Sequence, residues 1–167
     1  ALYILFFPTF LSGPVERFQR FLPQLQNPDR LDNGNIITGL YRILVGIFRK
    51  FLIADTMVKL IMPVLNYPGE HSGWIVLACV YGLIFRVYMD LAGYTDIAIG
   101  TARLFGFTIM ENFNKPLLQK NIGLYWRNWH ISVYTWIRDY VFFPFFGYRS
   151  SPMKLYAGSF LILFLFM

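Results

Sequence analysis

Charge is scarce in this chain. Only 14% of its 167 residues are Asp, Glu, Lys or Arg, where soluble domains carry about a quarter. A chain that is 56% hydrophobic and 20% aromatic with so few charges would show apolar surface to water and associate. In a bilayer that surface meets an apolar solvent. Cysteine is nearly absent as well. Cys79 is the single one, which excludes an intrachain disulfide, and its place in an apolar run marks it as a small buried hydrophobe. The two histidines, His71 and His130, lie far apart without cysteines beside them, so zinc-ligand spacing is missing and no metal is expected. There is no glycine-rich phosphate loop, Ser132 lacks the surroundings of a nucleophile elbow, and no repeat, heptad pattern or low-complexity tract is evident. The alternation that a membrane β-barrel needs is missing from 74–89 and 155–167. Helices remain as the way to pair a backbone in hydrocarbon.

What is present predicts an all-α, polytopic transmembrane helical bundle, one partial domain over 1–167. Residues 1–11 form a short apolar run, with neither a charged segment before it nor a cleavage site after it, so it does not read as a signal peptide. The polar stretch 12–34 contains Pro14, Pro23 and Pro28, and 15–22 interleaves charge and Phe as an amphipathic piece in the headgroup region would. Residues 36–62 are helical but carry Arg42, Arg49 and Asp55, which suits an amphipathic or bundle-interior helix better than a plain lipid-facing span. Asn66–Gly73 is a loop by its turn residues. WIVLACVYGLIFRVYM (74–89) is the clearest span. A second apolar run, 97–107, ends at Gly106. ENFNKP (111–116) is a polar loop, 122–143 is an aromatic helix, and Pro144, Gly147 and Pro152 break the chain. The last 13 residues are apolar but short of the roughly 20 that span a bilayer. The pattern predicts an internal piece of a longer chain. A net charge of +6 spread between apolar segments suits anionic headgroups and not nucleic acid, which would select a solvent-facing basic stripe.

Three constellations could carry chemistry. The first is YWRNWHISVYTWIRDYVFFP (125–144). On one helix Arg127, His130, Tyr134 and Arg138 would form a polar stripe at spacings of three, four and four, with Trp126 walling the same face. Asp139 would lie about half a turn away in angle and could not orient His130. A histidine can take and give a proton near neutral pH, and a membrane interior favours its neutral, basic form. The same segment also suits an interfacial belt of Trp and Tyr with snorkelling Arg. The second is RVYMDLAGYTDIAIG (86–100). Asp90 and Asp96 could relay protons or bind a cation. The plainer reading, which the residues favour, is two helices joined at Gly93, with Asp90 paired to Arg86 four residues away and Asp96 capping the second helix. In FFPTFLSGPVERF (6–18), Ser12–Gly13–Pro14 is a turn signal and Arg17 could meet an anion.

Three segments, FFPTFLSGPVERFQRFLPQL (6–25), MDLAGYTDIAIGTARLFGFTIMENFNKP (89–116) and the His130 segment, taken in this order and spacing, resemble the membrane-bound O-acyltransferases, in the bacterial branch acting on alginate, peptidoglycan and teichoic acids. The resemblance covers about 6–148. It implies helices around a tunnel through a thinned membrane, and an acyl group, acetyl in the commonest case, passed from a cytoplasmic thioester to a hydroxyl of an exported polysaccharide or cell-wall polymer. His130 matches the first of two active-site positions. The second, a His in a Gly-Trp-His-Gly-type motif, has no counterpart here. Arg127, Asn128, Tyr134, Asp90 and Asp96 would support the tunnel. No bound cofactor is implied. The donor substrate would be acyl-CoA or an acyl carrier protein thioester, and the partners the bilayer, the polymer, a carrier protein and export-complex proteins, with a multi-pass inner-membrane location. The rival expectations are a transporter or channel using Arg86, Asp90 and Asp96, and a non-catalytic scaffold of an export complex.

Overall fold

The computed structural model describes residues 3–10, 13–26 and 33–147, with Met153, Tyr156 and Gly158. Among them every regular element is helical and no strand occurs, in line with the expected all-α class. The chain divides into two compact units between Glu111 and Asn112.

The first unit contains four α-helices: α1 (Phe18–Gln26), α2 (Asn33–Ile47), α3 (Asp55–Asn66) and α4 (Gly73–Leu104). A π turn at Phe48–Ala54 joins α2 to α3 without a break. The rod ends at Asn66 because Pro68 disfavours helical backbone at the residue before it; a 3-10 turn, Pro68–Glu70, follows. Helix α4 is 32 residues long, about 48 Å at 1.5 Å per residue. It stops where Gly106 takes a left-handed φ of 78°. There Phe107 N donates to Ala102 O and Gly106 N to Arg103 O, the paired bonds of a Schellman ending.

Helix α4 has two halves of different character. Its N-terminal half is apolar and open, with Trp74 82% and Tyr81 67% exposed and Ile75, Leu77, Val80 and Ile84 exposed as well. Cys79 is only half-buried, less than its apolar surroundings predict, because the chain around it offers little cover. The C-terminal half buries Ala92, Gly93, Thr95, Asp96, Ala98, Ile99, Gly100 and Ala102, mainly against α2. Glycines set that approach. A Cβ on Gly46 would stand 2.5 Å from Gly93 O, and one on Gly100 would stand 2.6 Å from Gly39 O. Two glycines seven residues apart on α2 thus face two on α4, running antiparallel. Small residues that let backbones touch are the usual basis of helix association in lipid.

The sequence expectation at Gly93 is corrected here. The helix runs straight through it, so there is no helix pair, and Asp96 lies mid-helix and caps nothing. Glycine reads as a breaker because it has no side chain to pack; at this crossing that same lack is what the packing needs. Among the described residues, α4 is the one helix long and apolar enough to cross a membrane. The apolar run at 155–167 lies outside the described residues except for Tyr156 and Gly158, both helical.

An aromatic cluster closes the first unit. Phe6, Phe21 and Phe107 meet at centroid distances of 4.8 to 5.2 Å, with Phe21 only 1% exposed. The amphipathic stretch 15–22 therefore packs its Phe21 into the protein. The chain after α4 is tied to α1 by side chains. Thr108 N donates to Gln24 Oε1 at 2.7 Å, Gln24 Nε2 returns a bond to Thr108 O at 3.0 Å, and Met110 N donates to Glu16 Oε2 at 2.7 Å.

The second unit begins with the loop 112–115 and a 3-10 turn at Pro116–Leu118. Helix α5 (Ile122–Asn128) starts where Asn121 Oδ1 accepts from Leu124 N at 2.8 Å, an N-cap bond. Helix α6 (Ile131–Ile137) continues through a π turn, Arg138–Phe142, into α7 (Phe143–Phe146), which ends at Gly147 with φ 72°. The expected single helix over 122–143 is therefore broken. Trp129 is extended and His130 takes a left-handed backbone, φ 48° and ψ 53°.

Candidate active site

The break sits at the candidate catalytic residue. A non-glycine residue in the left-handed region costs about 1–2 kcal/mol, and such strain persists where surrounding structure imposes it. The loop 112–114 imposes it here. Ile131 N donates to Asn112 O at 2.8 Å, and Asn114 N donates to Asn128 O at 3.1 Å. Bonds thus flank the turn on both sides. Phe113, between them, packs its ring against Trp129 (5.3 Å) and the imidazole of His130 (5.7 Å). Trp129 stacks on Tyr125 at 5.5 Å.

His130 is thereby set at a corner between two helices, partly buried behind aromatic rings. Its Nδ1 is buried and has no partner of hydrogen-bond geometry among the described residues. Burial lowers the imidazole pKa from its ordinary 6.5, and an interaction with its own backbone offsets part of the effect. The neutral ring, with a lone pair available, is the dominant form at neutral pH.

The expected polar stripe does not form, because the turn at His130 takes Arg127 out of register with Tyr134 and Arg138. Arg127 is exposed in the last turn of α5. Asn128 donates its amide to Leu124 O at 2.8 Å. Tyr134 is 36% exposed and meets His130 through the backbone, its N–H donating to His130 O. Asp139 binds Arg138, at 2.7 Å to Nε. Trp126 is 42% exposed and packs on Tyr125; the wall beside the imidazole is Phe113.

Asp90 and Asp96 belong to the first unit, as parts of two ion clusters. Asp96, with a side chain 3% exposed, accepts from Arg42 Nε at 2.5 Å and from Arg49. Arg42 also forks onto Glu111, its Nη1 lying 2.9 Å from Oε1. Asp90 accepts from Lys50 Nζ at 2.8 Å and Arg86 Nη2 at 2.9 Å, and Lys50 reaches Asp55 too. Each cluster holds two cations and two carboxylates, so its formal charge is zero. The expected Arg86–Asp90 pair is present; the partners of Asp96 are new. Their signal was in the sequence: Gly39, Arg42, Gly46 and Arg49 recur at three, four and three, as do Gly93, Asp96 and Gly100 at three and four. The wide π turn brings the neighbours Arg49 and Lys50 onto the α4 side together. Among the described residues, no group of three or more His, Cys, Asp or Glu side chains stands where it could hold a metal ion.

The chain is similar to known proteins along most or all of its length. The model of the membrane-bound O-acyltransferase family matches residues 1–167, and the chain belongs to that family. It is 35% identical over 167 residues to the probable alginate O-acetylase AlgI of Pseudomonas aeruginosa, covering 99% of this chain and 31% of that protein. To the teichoic acid D-alanyltransferase of Bacillus subtilis it is 37% identical, covering 86% of this chain and 37% of that one. To the peptidoglycan O-acetyltransferase of Helicobacter pylori it is 31% identical, covering 97% and 31%. The chain spans about a third of the length of these relatives.

Proposed function

From membership of the membrane-bound O-acyltransferase family we propose that this chain carries the first active-site histidine, His130, of an enzyme that transfers an acyl group to an exported polymer. The acyl group is acetyl, the donor an acyl-CoA or acyl carrier protein thioester, and the acceptor a hydroxyl of a polysaccharide or cell-wall polymer. The relatives' names supply the acceptor class: alginate, peptidoglycan and teichoic acid. The whole protein sits in the inner membrane with several spans, and its second active-site histidine lies on another helix.

The observation that carries this reading is His130 held at a strained turn, partly buried, its Nδ1 without a hydrogen-bond partner among the described residues. The chemistry needs a base for a hydroxyl proton. In the proposed step the imidazole takes that proton while the hydroxyl oxygen bonds to the thioester carbonyl carbon. The tetrahedral intermediate collapses, the carbon–sulfur bond breaks, and the thiolate leaves with the proton the imidazolium returns. Products are the O-acyl ester and free thiol. General base catalysis of this kind contributes about 10²–10⁴-fold.

An ion path through Asp90 and Asp96 has weaker support, because cationic side chains already neutralise both. The test is His130→Ala in the full-length protein, with O-acyl content of the polymer as the readout. Polymer acylation falls to the level of a deletion strain if the proposal holds; unchanged acylation at equal membrane level refutes it.

A further inference from the structure

Helix α6 is not capped by its own N-cap residue. His130 occupies that position, where a side chain usually accepts from the second or third helical amide, yet its imidazole makes no such bond. One residue from elsewhere in the unit serves instead. Asn112 O accepts from Ile131 N at 2.8 Å. Asn112 Oδ1 accepts from Ser132 N at 3.2 Å and from Ser132 Oγ at 2.5 Å. Asn112 is fully buried and Ser132 is 1% exposed, so these bonds are shielded from water, where a buried polar group without its partner costs about 1–3 kcal/mol. On the other side of the turn Asn114 holds Asn128 O, and Phe113 between them lies on the imidazole.

We propose that Asn112 is a positioning residue for His130: it caps α6 in the histidine's place, fixing the left-handed turn and keeping the imidazole Nδ1 uncommitted for proton transfer. The proposal rests on the reading of His130 as the base. The reasoning is one of competition. The acceptor that an N-cap histidine has to offer its own helix is Nδ1. Without Asn112 Oδ1, the Ser132 amide draws that nitrogen inward, and the ring is pulled into the cap and away from the orientation it holds here.

Two readouts on the full-length protein in nanodiscs test this. In the first, Asn112→Ala lowers kcat about tenfold or more with KM for the thioester within about twofold, inside the range a misaligned base allows. Asn112→Asp keeps the acceptor oxygen and restores kcat; its negative charge moves the acid limb of the pH–rate profile upward, since a nearby carboxylate favours imidazolium. A role in packing alone would let Asn112→Leu, which fills the same volume without an acceptor oxygen, keep kcat. The second readout is nitrogen NMR of histidine, with the His130 signal identified by its loss in His130→Gln. Wild type shows Nδ1 free of a donor, and Asn112→Ala shows it hydrogen-bonded. Should Asn112→Ala fail to reach the membrane, Asn112→Leu and Asn112→Asp carry the test, one without and one with an acceptor oxygen, and equal kcat in the two overturns the proposal. An unchanged Nδ1 signal in Asn112→Ala, or an unchanged kcat, also overturns it. If His130→Gln itself keeps full transfer activity, the proposed function fails instead, and the NMR comparison still decides what Asn112 does to the ring.

Discussion

At the residue scale, function and stability pull in opposite directions at His130. The left-handed backbone costs about 1–2 kcal/mol for any residue but glycine. His130→Gly is therefore expected to raise the midpoint of thermal unfolding, or at least not lower it, while removing acyl transfer. His130→Ala keeps the strain and gains nothing. A glycine variant less stable than the alanine variant would show that the turn is not strained. The pH dependence follows from burial. Because the pKa of His130 lies below 6.5, the basic form persists as the medium is acidified, and the acid limb of kcat/KM falls below pH 6.5. A limb above that value would contradict a buried, neutral base. Glu16 shows the opposite shift. Its buried carboxyl is raised above 4.5 chiefly by desolvation, with the Met110 amide working against it. The folded state then binds the proton more tightly, so stability is lost as pH rises through the interval from the unfolded to the folded pKa. Glu16→Gln keeps an oxygen for Met110 N and should be as stable as wild type or more so at pH 7, with that interval's pH dependence removed. His130 could be singled out as a candidate from the sequence; its left-handed backbone could not. Trp-His-Ile contains no glycine or proline, and the turn is imposed by Asn112 and Asn114, more than a dozen residues earlier.

At the element scale, the crossing of α2 and α4 is the main construction. Glycines bring the backbones together, and Arg42 and Arg49 close on Asp96 between them. Gly46→Leu should cost about 1–3 kcal/mol or prevent folding, because its side chain meets backbone and cannot be accommodated by a rotamer change. Asp96→Asn should be more damaging than Asp90→Asn, since the Asp96 side chain is 3% exposed and that of Asp90 25%. The Asp96 loss is on the order of 2 kcal/mol, below that of a fully buried pair because both guanidinium groups are about a third exposed. Thermal unfolding in one detergent ranks the three variants. The loop at 66–73 and the stop at Gly106 were legible from turn chemistry. The continuity of α4 through Gly93 was not, because glycine reads as a break until the partner glycine is known.

At the scale of the whole molecule, the open apolar half of α4 is the surface that composition predicted. In membranes, a cysteine at Tyr81 in a Cys79→Ala background should resist a membrane-impermeant thiol reagent, and one at Glu70 should react. Equal labelling would place the N-terminal half of α4 in water. The proposed function rests on one residue, His130. The most direct measurement is acyl transfer from a radiolabelled acetyl thioester to the polymer by purified full-length protein, wild type against His130→Gln at equal amounts. The account predicts a loss of about 10²-fold or more in the variant. Transfer at the wild-type rate would contradict it.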